Sequence, residues 1–522
     1  MKKSALLSIF ILLLKLIEGQ VPFQRIITGS TISTGVTGFS AHQLSDGNYI
    51  VGANSNGAVL IKLKLNGDTI WTRNFYDPTF LRADDLIVTK DKGFMLAGSN
   101  NVLNDADICL VKTDSLGHTE WVKAYTYSTT PDTTFDEAYS IRPTTEGGYI
   151  LTGTTQNRAF LMKIDALGNI TWQKTYATPS VISGSSVIQT TDHGYAFTGY
   201  IDTSITYNIK VYLVRTDSLG NLMWSRSYGS TIDDRGYSIK ETTDGGFIIT
   251  GATSVPLGSG GTINQIYLVK TDRNGQLLWT KTFATYNVEE GGYAVLQTPD
   301  KGYLVTGYGG YCAFVAPGTH GSNGFLIKTD SNGVVSYVRN YGYLPNSDGM
   351  MHSLERTSDA GFLLGGFTGN GTAICMIKTD SIGNTSCNGS LCSVYDSTYL
   401  STSRVTNQTI SSPFVHTYTP AVISSYHPCV SHDICATGIE ETADKTKKPV
   451  LFPNPGNGQF AFDGLMGREI IEIYDCLGRN VYTNIISDIV KQIDISTQPK
   501  GIYFYRVISE NKIIGSGKLV IQ

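Results

Sequence analysis

Beyond residue 20 the chain has no run of eighteen apolar residues, no C-x-x-C pair, no helical periodicity and no basic stripe. Each absence removes a class. Without the apolar run, the mature form is expected to carry no transmembrane helix. Without paired cysteines at zinc-ligand spacing, a structural zinc site is not expected. A net charge of −4 with no clustered Lys or Arg gives no footprint for nucleic acid. Charged residues make up only 16% of the sequence, which argues against long charged helices and against disorder. No G-x-S-x-G, H-E-x-x-H or P-loop is present. Gly (56) and Tyr (30) are plentiful instead, as in an extracellular β-rich protein with many tight turns.

The first residues, MKKSALLSIFILLLKLIEGQ, place two lysines before an apolar run from Ala5 to Leu14. That pattern predicts a signal peptide over 1–19. In an exported chain, four of the eight cysteines, Cys387, Cys392, Cys429 and Cys435, are candidates for disulfides, with three pairings open.

Internal repetition decides the fold. An aromatic column runs Trp71, Trp121, Trp172, Trp224, Trp279, Tyr337 at a spacing of 50–58 residues. A second column, the aromatic of the "DGGY" phrase, runs Tyr49, Phe94, Tyr149, Tyr195, Phe247, Tyr303, Phe362 and makes seven copies. Each copy holds four strand signals, a to d. A T-D-G-G turn joins a to b, and a D-x-x-G turn joins c to d. Strand c is almost wholly apolar, as expected of a sheet covered on both faces. Seven such four-stranded sheets predict an all-β, seven-bladed β-propeller over 20–387.

The last copy stops after strand c at Asp380, and Cys387 stands where an aromatic is due. The segment FQRIITGSTIS at 23–33 aligns with WSRSYGSTIDD at 224–234, which puts Phe23 in the aromatic slot. The start of the mature chain is therefore expected to supply strand d of the seventh sheet and to close the ring.

Past Cys387 the composition shifts to Ser, Thr, Asn and Pro, and GIEETADKTKKP at 438–449 reads as a linker. The region 388–449 is expected to be an extension and linker. A small β-sandwich is predicted over 450–522. Its spaced elements are Pro453-Asn454-Pro455, Gly458, Asp475-x-Leu477-Gly478, Gly501-x-Tyr503 and Lys518-Leu519-Val520-Ile521. In that order they resemble the type A C-terminal sorting domain of the type IX secretion system. The resemblance implies that the secretion machinery is a partner. It also implies passage through the outer membrane to the surface or the medium, and removal of the tail. The repeats look like the propeller ectodomains commonly fused to such tails, which carries architecture and little function. Their Asp-x-x-Gly…Trp hairpin is similar to quinone-binding propeller repeats and sialidase Asp boxes, where it is a turn-and-dock device remote from chemistry.

If strand a is innermost, the variable d-to-a and b-to-c loops open on one face, where binding is expected. Tyr308, Tyr311 and Phe314 make the b-to-c loop of the sixth copy the most aromatic. Asp136, Asp234 and Glu290 share one register just before strand a. Asp348 and the Asp84-Asp85 pair lie nearby but slipped, and Val36 and Ile182 replace the acid in the first and fourth copies. Such carboxylates at a channel mouth suit Ca²⁺; the alternative is that each caps backbone N–H groups where strand a begins. No other cofactor is expected. The basic column Lys62, Lys112, Lys163, Arg215, Lys270, Lys328, Lys378 recurs in every copy and is expected to pair with a carboxylate in each sheet. His352 occupies the slot of Tyr139, Tyr237 and Tyr293, and His42 sits further along strand a of the first copy. They are the thin basis for an acid–base hypothesis; no catalytic residue is assigned. The function expected is a non-catalytic binding or adhesion module for a glycan or protein. The competing readings are an enzyme acting on extracellular polysaccharide through acids at the channel mouth, and a structural surface component.

Overall fold

The fold is described from a computed structural model. The described residues are 22–29, 37–55, 57–76, 81–102, 105–127, 135–177, 182–202, 208–230, 232–256, 260–284, 289–309, 323–341, 349–368 and 373–385. Between 390 and 433 seven strands are described as backbone alone. In the tail 450–452, 459–463, 469–475, 479–485, 491–509 and 512–521 are described. Among these residues every regular element is a strand, and no helix is long and apolar enough to cross a membrane. The signal-peptide segment, Cys387, Cys392, Cys435, Tyr311, Phe314, Asp348, Pro453, Asn454, Pro455 and Gly478 lie outside the described residues.

The chain divides into two compact units, 1–437 and 438–522. In the first, each repeat copy becomes an antiparallel meander. The first sheet is Thr37–Gln43 (a), Tyr49–Ser55 (b), Gly57–Leu63 (c) and Thr69–Tyr76 (d). The second to sixth sheets begin at Leu81, Glu137, Ile182, Asp234 and Gly291 and follow the same order. The seventh comprises Met350–Arg356, Phe362–Thr368 and Ala373–Thr379, and its fourth strand is Phe23–Gly29 from the other end of the chain. Phe23 lies opposite Lys378, as Trp71 lies opposite Lys62 and Trp224 opposite Arg215. The expected register holds to the residue.

One device joins each sheet to the next. In the D-x-x-G turn, Asp114 Oδ1 accepts from the Leu116 and His118 amides at 2.8 Å, and Gly117 takes φ +79°. That conformation is costly for a residue with a Cβ. The aromatic of the preceding sheet lies on this glycine: a Cβ at Gly117 would meet Trp71 at 2.9 Å, and one at Gly275 would meet Trp224 at 2.6 Å. The chain of contacts runs Trp71–Gly117, Trp121–Gly168, Trp172–Gly220, Trp224–Gly275, Trp279–Gly333 and Tyr337–Gly383. It returns through Phe23–Gly67. Where strand d carries a tyrosine four residues after the aromatic, its hydroxyl donates to the same glycine's carbonyl, at 2.7 Å for Tyr125, Tyr176, Tyr228 and Tyr341. The seventh sheet packs on the first over Phe23, Ile27, Tyr49, Val51, Ile61, Leu363 and Met376, all buried. Burial of these apolar faces between sheets is the main favourable contribution.

The basic column does the work expected of it. Lys62, Lys112, Lys163, Arg215, Lys270, Lys328 and Lys378 pair with Asp46, Asp91, Glu146, Asp192, Asp244, Asp300 and Asp359, the acids of the a-to-b turns. Each tethers a hairpin to its own sheet.

The stretch expected as extension and linker also contributes strands. Ser390–Leu391, Tyr395–Ser397, Thr402–Val405, Thr409–Ser411, His416–Tyr418, Ile423–Ser425 and Cys429–Asp433 pair antiparallel with strand d of the sixth, fifth, fourth, third, second, first and seventh sheets in turn. The segment makes one lap of the ring against the direction of the repeats. The strands at 395, 402, 409, 416 and 423 start seven residues apart, about 23 Å of extended chain per sheet at ~3.3 Å per residue. This belt satisfies backbone groups that would otherwise form an open edge on every sheet.

The second unit has two sheets. Val450–Phe452, Gln459–Asp463 and Lys491–Asp494 form one. The other runs Asn480–Ile485, Ile470–Tyr474, Gly501–Ser509, Lys512–Ile521. They share a core of Phe460, Ile471, Ile473, Ile493, Tyr503, Val507 and Leu519, the small sandwich expected.

Candidate functional site

Strand a of every sheet carries a bulge at the same place, breaking its register with strand b between Gly38 and Ser40, Ala83 and Asp85, Ala138 and Ser140, Gly184 and Ser186, Gly236 and Ser238, Gly292 and Ala294, and Met351 and Ser353. A bulge leaves one residue unpaired and re-aims its side chain. The seven residues so released, Phe39, Asp84, Tyr139, Ser185, Tyr237, Tyr293 and His352, all line one central pocket of about 270 Å³. They form an outer tier. Three residues further along strand a, a second tier places His42, Arg142, Lys240 and Glu355 in the same pocket. The hydroxyls of Ser40, Ser140, Ser186, Ser238 and Ser353 lie between the tiers.

The outer tier is aromatic on one side. Tyr237 stacks on Tyr293 with centroids 5.1 Å apart, and Tyr293 on His352 at 4.4 Å and 11°. Tyr308 and Phe367 lean against this stack at 5.7 and 5.5 Å. The Tyr237 and Tyr293 hydroxyls have no hydrogen-bond partner among the described residues. Burial and the nearby Arg82 guanidinium push His352 down to about 4, so its imidazole is neutral, and its Nε2 is buried without a partner. On the other side, burial raises Asp84 to about 6 against the pull of Arg82, whose guanidinium lies 2.9 Å away, with Glu137 adding to the rise.

The inner tier is charged and mostly self-satisfied. Burial opposes the charge on His42, but Glu355 Oε2 at 2.5 Å from Nδ1 and the Leu86 carbonyl at 2.7 Å from Nε2 outweigh it and raise its pKa. Asp85 accepts from the Leu86 and Ile141 amides at 3.0 Å and from Arg142. Lys240 has neither a hydrogen bond nor an ion pair among the described residues. Burial and Arg142 lower it to about 8, with Asp85 and Glu355 pulling the other way.

Of the residues singled out from sequence, His42, His352 and the Asp84-Asp85 pair line this pocket, and Tyr308 packs against its aromatic stack. Asp136, Asp234 and Glu290 do not form a ring of carboxylates at the channel mouth; they are 3%, 0% and 1% exposed. Asp136 Oδ2 accepts from the Tyr127 amide at 2.7 Å. Asp234 accepts from the Ser230 amide at 2.7 Å and the Thr253 hydroxyl at 2.5 Å, with Lys210 at 3.4 Å. Asp136 and Asp234 thus cap backbone amides near the end of strand d, the capping alternative. Among the described residues no three His, Cys, Asp or Glu side chains gather as a metal site would require, so the calcium expectation finds no site there. Cys429 is described only as backbone, beside Gly29. Phe39, Ser185 and the bulge common to all seven sheets escaped the sequence reading. Their signal is a triplet of small, variable, small residues: GFS, ADD, AYS, GSS, GYS and GYA, with MHS the looser seventh.

In the tail, Gly501 adopts φ +155°, Tyr503 is buried and its hydroxyl donates to the Pro499 carbonyl at 2.7 Å, and Lys518 is exposed on the last strand beside Val520. Residues 450–522 match the family model described as "Secretion system C-terminal sorting domain". That domain marks the chain for export by type IX secretion to the cell surface or extracellular space, with the secretion machinery as its partner. No curated protein matches the chain in sequence. Solved structures similar at low level include three of note. One is PorZ of Porphyromonas gingivalis, described as an essential surface component of the type IX secretion system. It is 10% identical with a TM-score of 0.34, covering 95% of this chain and 58% of that one. A Bacteroides caccae protein of unknown function is 11% identical with a TM-score of 0.32, covering 61% and 94%. Sqt1 of Chaetomium thermophilum is 11% identical with a TM-score of 0.38, covering 67% and 98%.

Proposed function

We propose that the exported chain is a closed seven-bladed propeller acting as a non-catalytic binding module, and that it holds its ligand in the central pocket. The observation that carries this reading is the outer tier. Seven equivalent bulges deliver seven side chains to one pocket; the Tyr139 hydroxyl there donates to Glu137, whereas the Tyr237 and Tyr293 hydroxyls and the His352 Nε2 have no partner among the described residues. Buried polar groups are normally satisfied, and those left over at a concave site are offered to a ligand. The pocket lies just below the roughly 300–1,000 Å³ typical of small-molecule sites, so it suits one unit of a glycan rather than a run of polymer. The abundance of hydroxyls favours a glycan over a protein.

A second reading, an enzyme acting on extracellular polysaccharide, draws on Asp84, whose raised carboxyl is suited to proton donation near pH 6. Screening the purified protein on a glycan array and for turnover of the bound glycans separates the two. The binding reading expects retention without turnover, and at least tenfold weaker binding by the Tyr237→Phe/Tyr293→Phe double variant. Binding unchanged in that variant, or steady turnover lost in Asp84→Asn, overturns it.

A further inference from the structure

The inner tier defines what the ligand carries, granted that the pocket is the binding site. Four charged side chains and one more behind them face this level: His42 and Glu355 from the first and seventh sheets, Arg142 with Asp85 from the third and second, and Lys240 from the fifth. Both acids are spent. Glu355 holds His42 at 2.5 Å and accepts from the Gln43 amide at 3.4 Å. Asp85 has its two oxygens on two backbone amides and on Arg142. One nitrogen of Arg142 serves both Asp85 and the Ile141 carbonyl, and its other nitrogens have no partner among the described residues. Lys240 feels Asp85 and Glu355 only at a distance and has no direct hydrogen bond or ion pair among the described residues. In the two neighbouring sheets its register of strand a holds Ile188 and Leu296, and the charges that act on it are those of Arg142, Asp85 and Glu355.

An uncompensated cation inside a protein is unfavourable unless something arrives to pair with it. No described residue supplies a direct partner, although every rim lysine or arginine of the basic column is given an acid. The exception sits at the floor of a pocket whose upper wall offers tyrosine hydroxyls and whose middle offers serine hydroxyls.

We propose that the pocket takes an acidic sugar unit, its carboxylate seated against Lys240 and the free guanidinium nitrogens of Arg142 and its hydroxyls bonded to the serine and tyrosine hydroxyls above. Carboxylate and guanidinium or ammonium form charge-assisted hydrogen bonds that gain strength in a pocket screened from water. A neutral sugar would leave Lys240 unpaired and gain only the upper contacts. The burial that lowers Lys240 to about 8 makes its charge, and hence the binding, sensitive to mildly alkaline pH. Arg142, Asp85, Glu355 and His42 are the other titratable groups that face this level. Against burial, Glu355 raises His42, which gives up its proton as the pH rises and so acts in the same direction as Lys240.

The test is calorimetric titration of the purified protein with sodium glucuronate, glucose and sodium acetate, repeated with Lys240→Met. Glucuronate is expected to bind at least tenfold more tightly than either glucose or acetate, and to weaken as the pH is raised from 7 to 9. In Lys240→Met the preference for glucuronate over glucose should vanish while glucose binding stays as it was. That variant should also melt no lower than the parent, because it removes a buried charge and keeps the volume. Glucose binding equal to glucuronate in the parent, or a glucuronate affinity unchanged in Lys240→Met, overturns the assignment of the anion and leaves the binding module standing. If no sugar of either kind binds, while array binding is also absent, the binding module itself falls.

Discussion

The rim and the centre of the ring obey opposite rules. At the rim, seven basic residues pair with seven acids, and seven aromatics lie on seven turn glycines, with hardly a substitution that alters the chemistry. At the centre, one backbone position common to all sheets is filled by Phe39, Asp84, Tyr139, Ser185, Tyr237, Tyr293 and His352. The same bulge holds all seven, so the backbone does not require the variety. A contact repeated in every sheet serves every sheet; a side chain that differs where the backbone does not is free to serve a ligand.

The comparison is broken most severely by removing the strand that joins the ends. Deleting residues 22–29 strips Phe23 and Ile27 from the core between the first and seventh sheets and exposes strand Ala373–Thr379 along its length. The expected outcome is aggregation or loss of a cooperative melt, read by light scattering and size exclusion. A smaller effect follows from one rim aromatic. Trp71 is 8% exposed, packs edge-on against Phe94 and lies under Arg73, and Trp71→Ala should cost about 3–5 kcal/mol in urea unfolding. Smaller again is the turn glycine, and here two sites sharpen the argument. Gly275 at φ +72° would press a Cβ to 2.6 Å from Trp224, whereas Gly260 at φ +89° would meet nothing within 4 Å. Gly260→Ala bears only the conformational strain of about 1 kcal/mol, and Gly275→Ala bears that plus displacement of the tryptophan. Equal losses at the two sites would remove the inter-sheet lock from the account. The smallest effect on stability is expected at the centre: Tyr237→Phe and Tyr293→Phe remove hydroxyls that bond nothing among the described residues, so melting should barely move while binding falls.

Much of this was legible because repetition multiplies weak signals. One strand reading is ambiguous; seven in register, each with its turn glycine and its aromatic, are not. The N-terminal strand was found by the same means, through the slot Phe23 fills. The belt was not legible, for a physical reason. Strands such as Thr402–Val405 and Thr409–Ser411 are short and polar, and they are held by main-chain pairing, which leaves no apolar alternation to read. Only the seven-residue spacing of its strands hints at a lap around seven sheets. The pocket was half legible. His352 and His42 stood out because they broke the repeat, but Ser185 and Phe39 could be placed only once the bulges fixed which residue leaves the ladder. Asp136, Asp234 and Glu290 misled because an acid before a strand reads as exposed, whereas all three are buried, and Asp136 and Asp234 accept from the backbone amides of Tyr127 and Ser230.

Circular closure is the claim on which the central pocket depends, since an open row of sheets has no centre. Hydrogen exchange of the intact protein, followed on the amides of residues 24–28, tests it without altering the chain. Closure between strand Ala373–Thr379 on one side and Cys429–Asp433 on the other predicts protection comparable to that of strand Leu222–Gly229. Exchange of those amides as fast as in an unstructured peptide, while 222–229 stays protected, would contradict it.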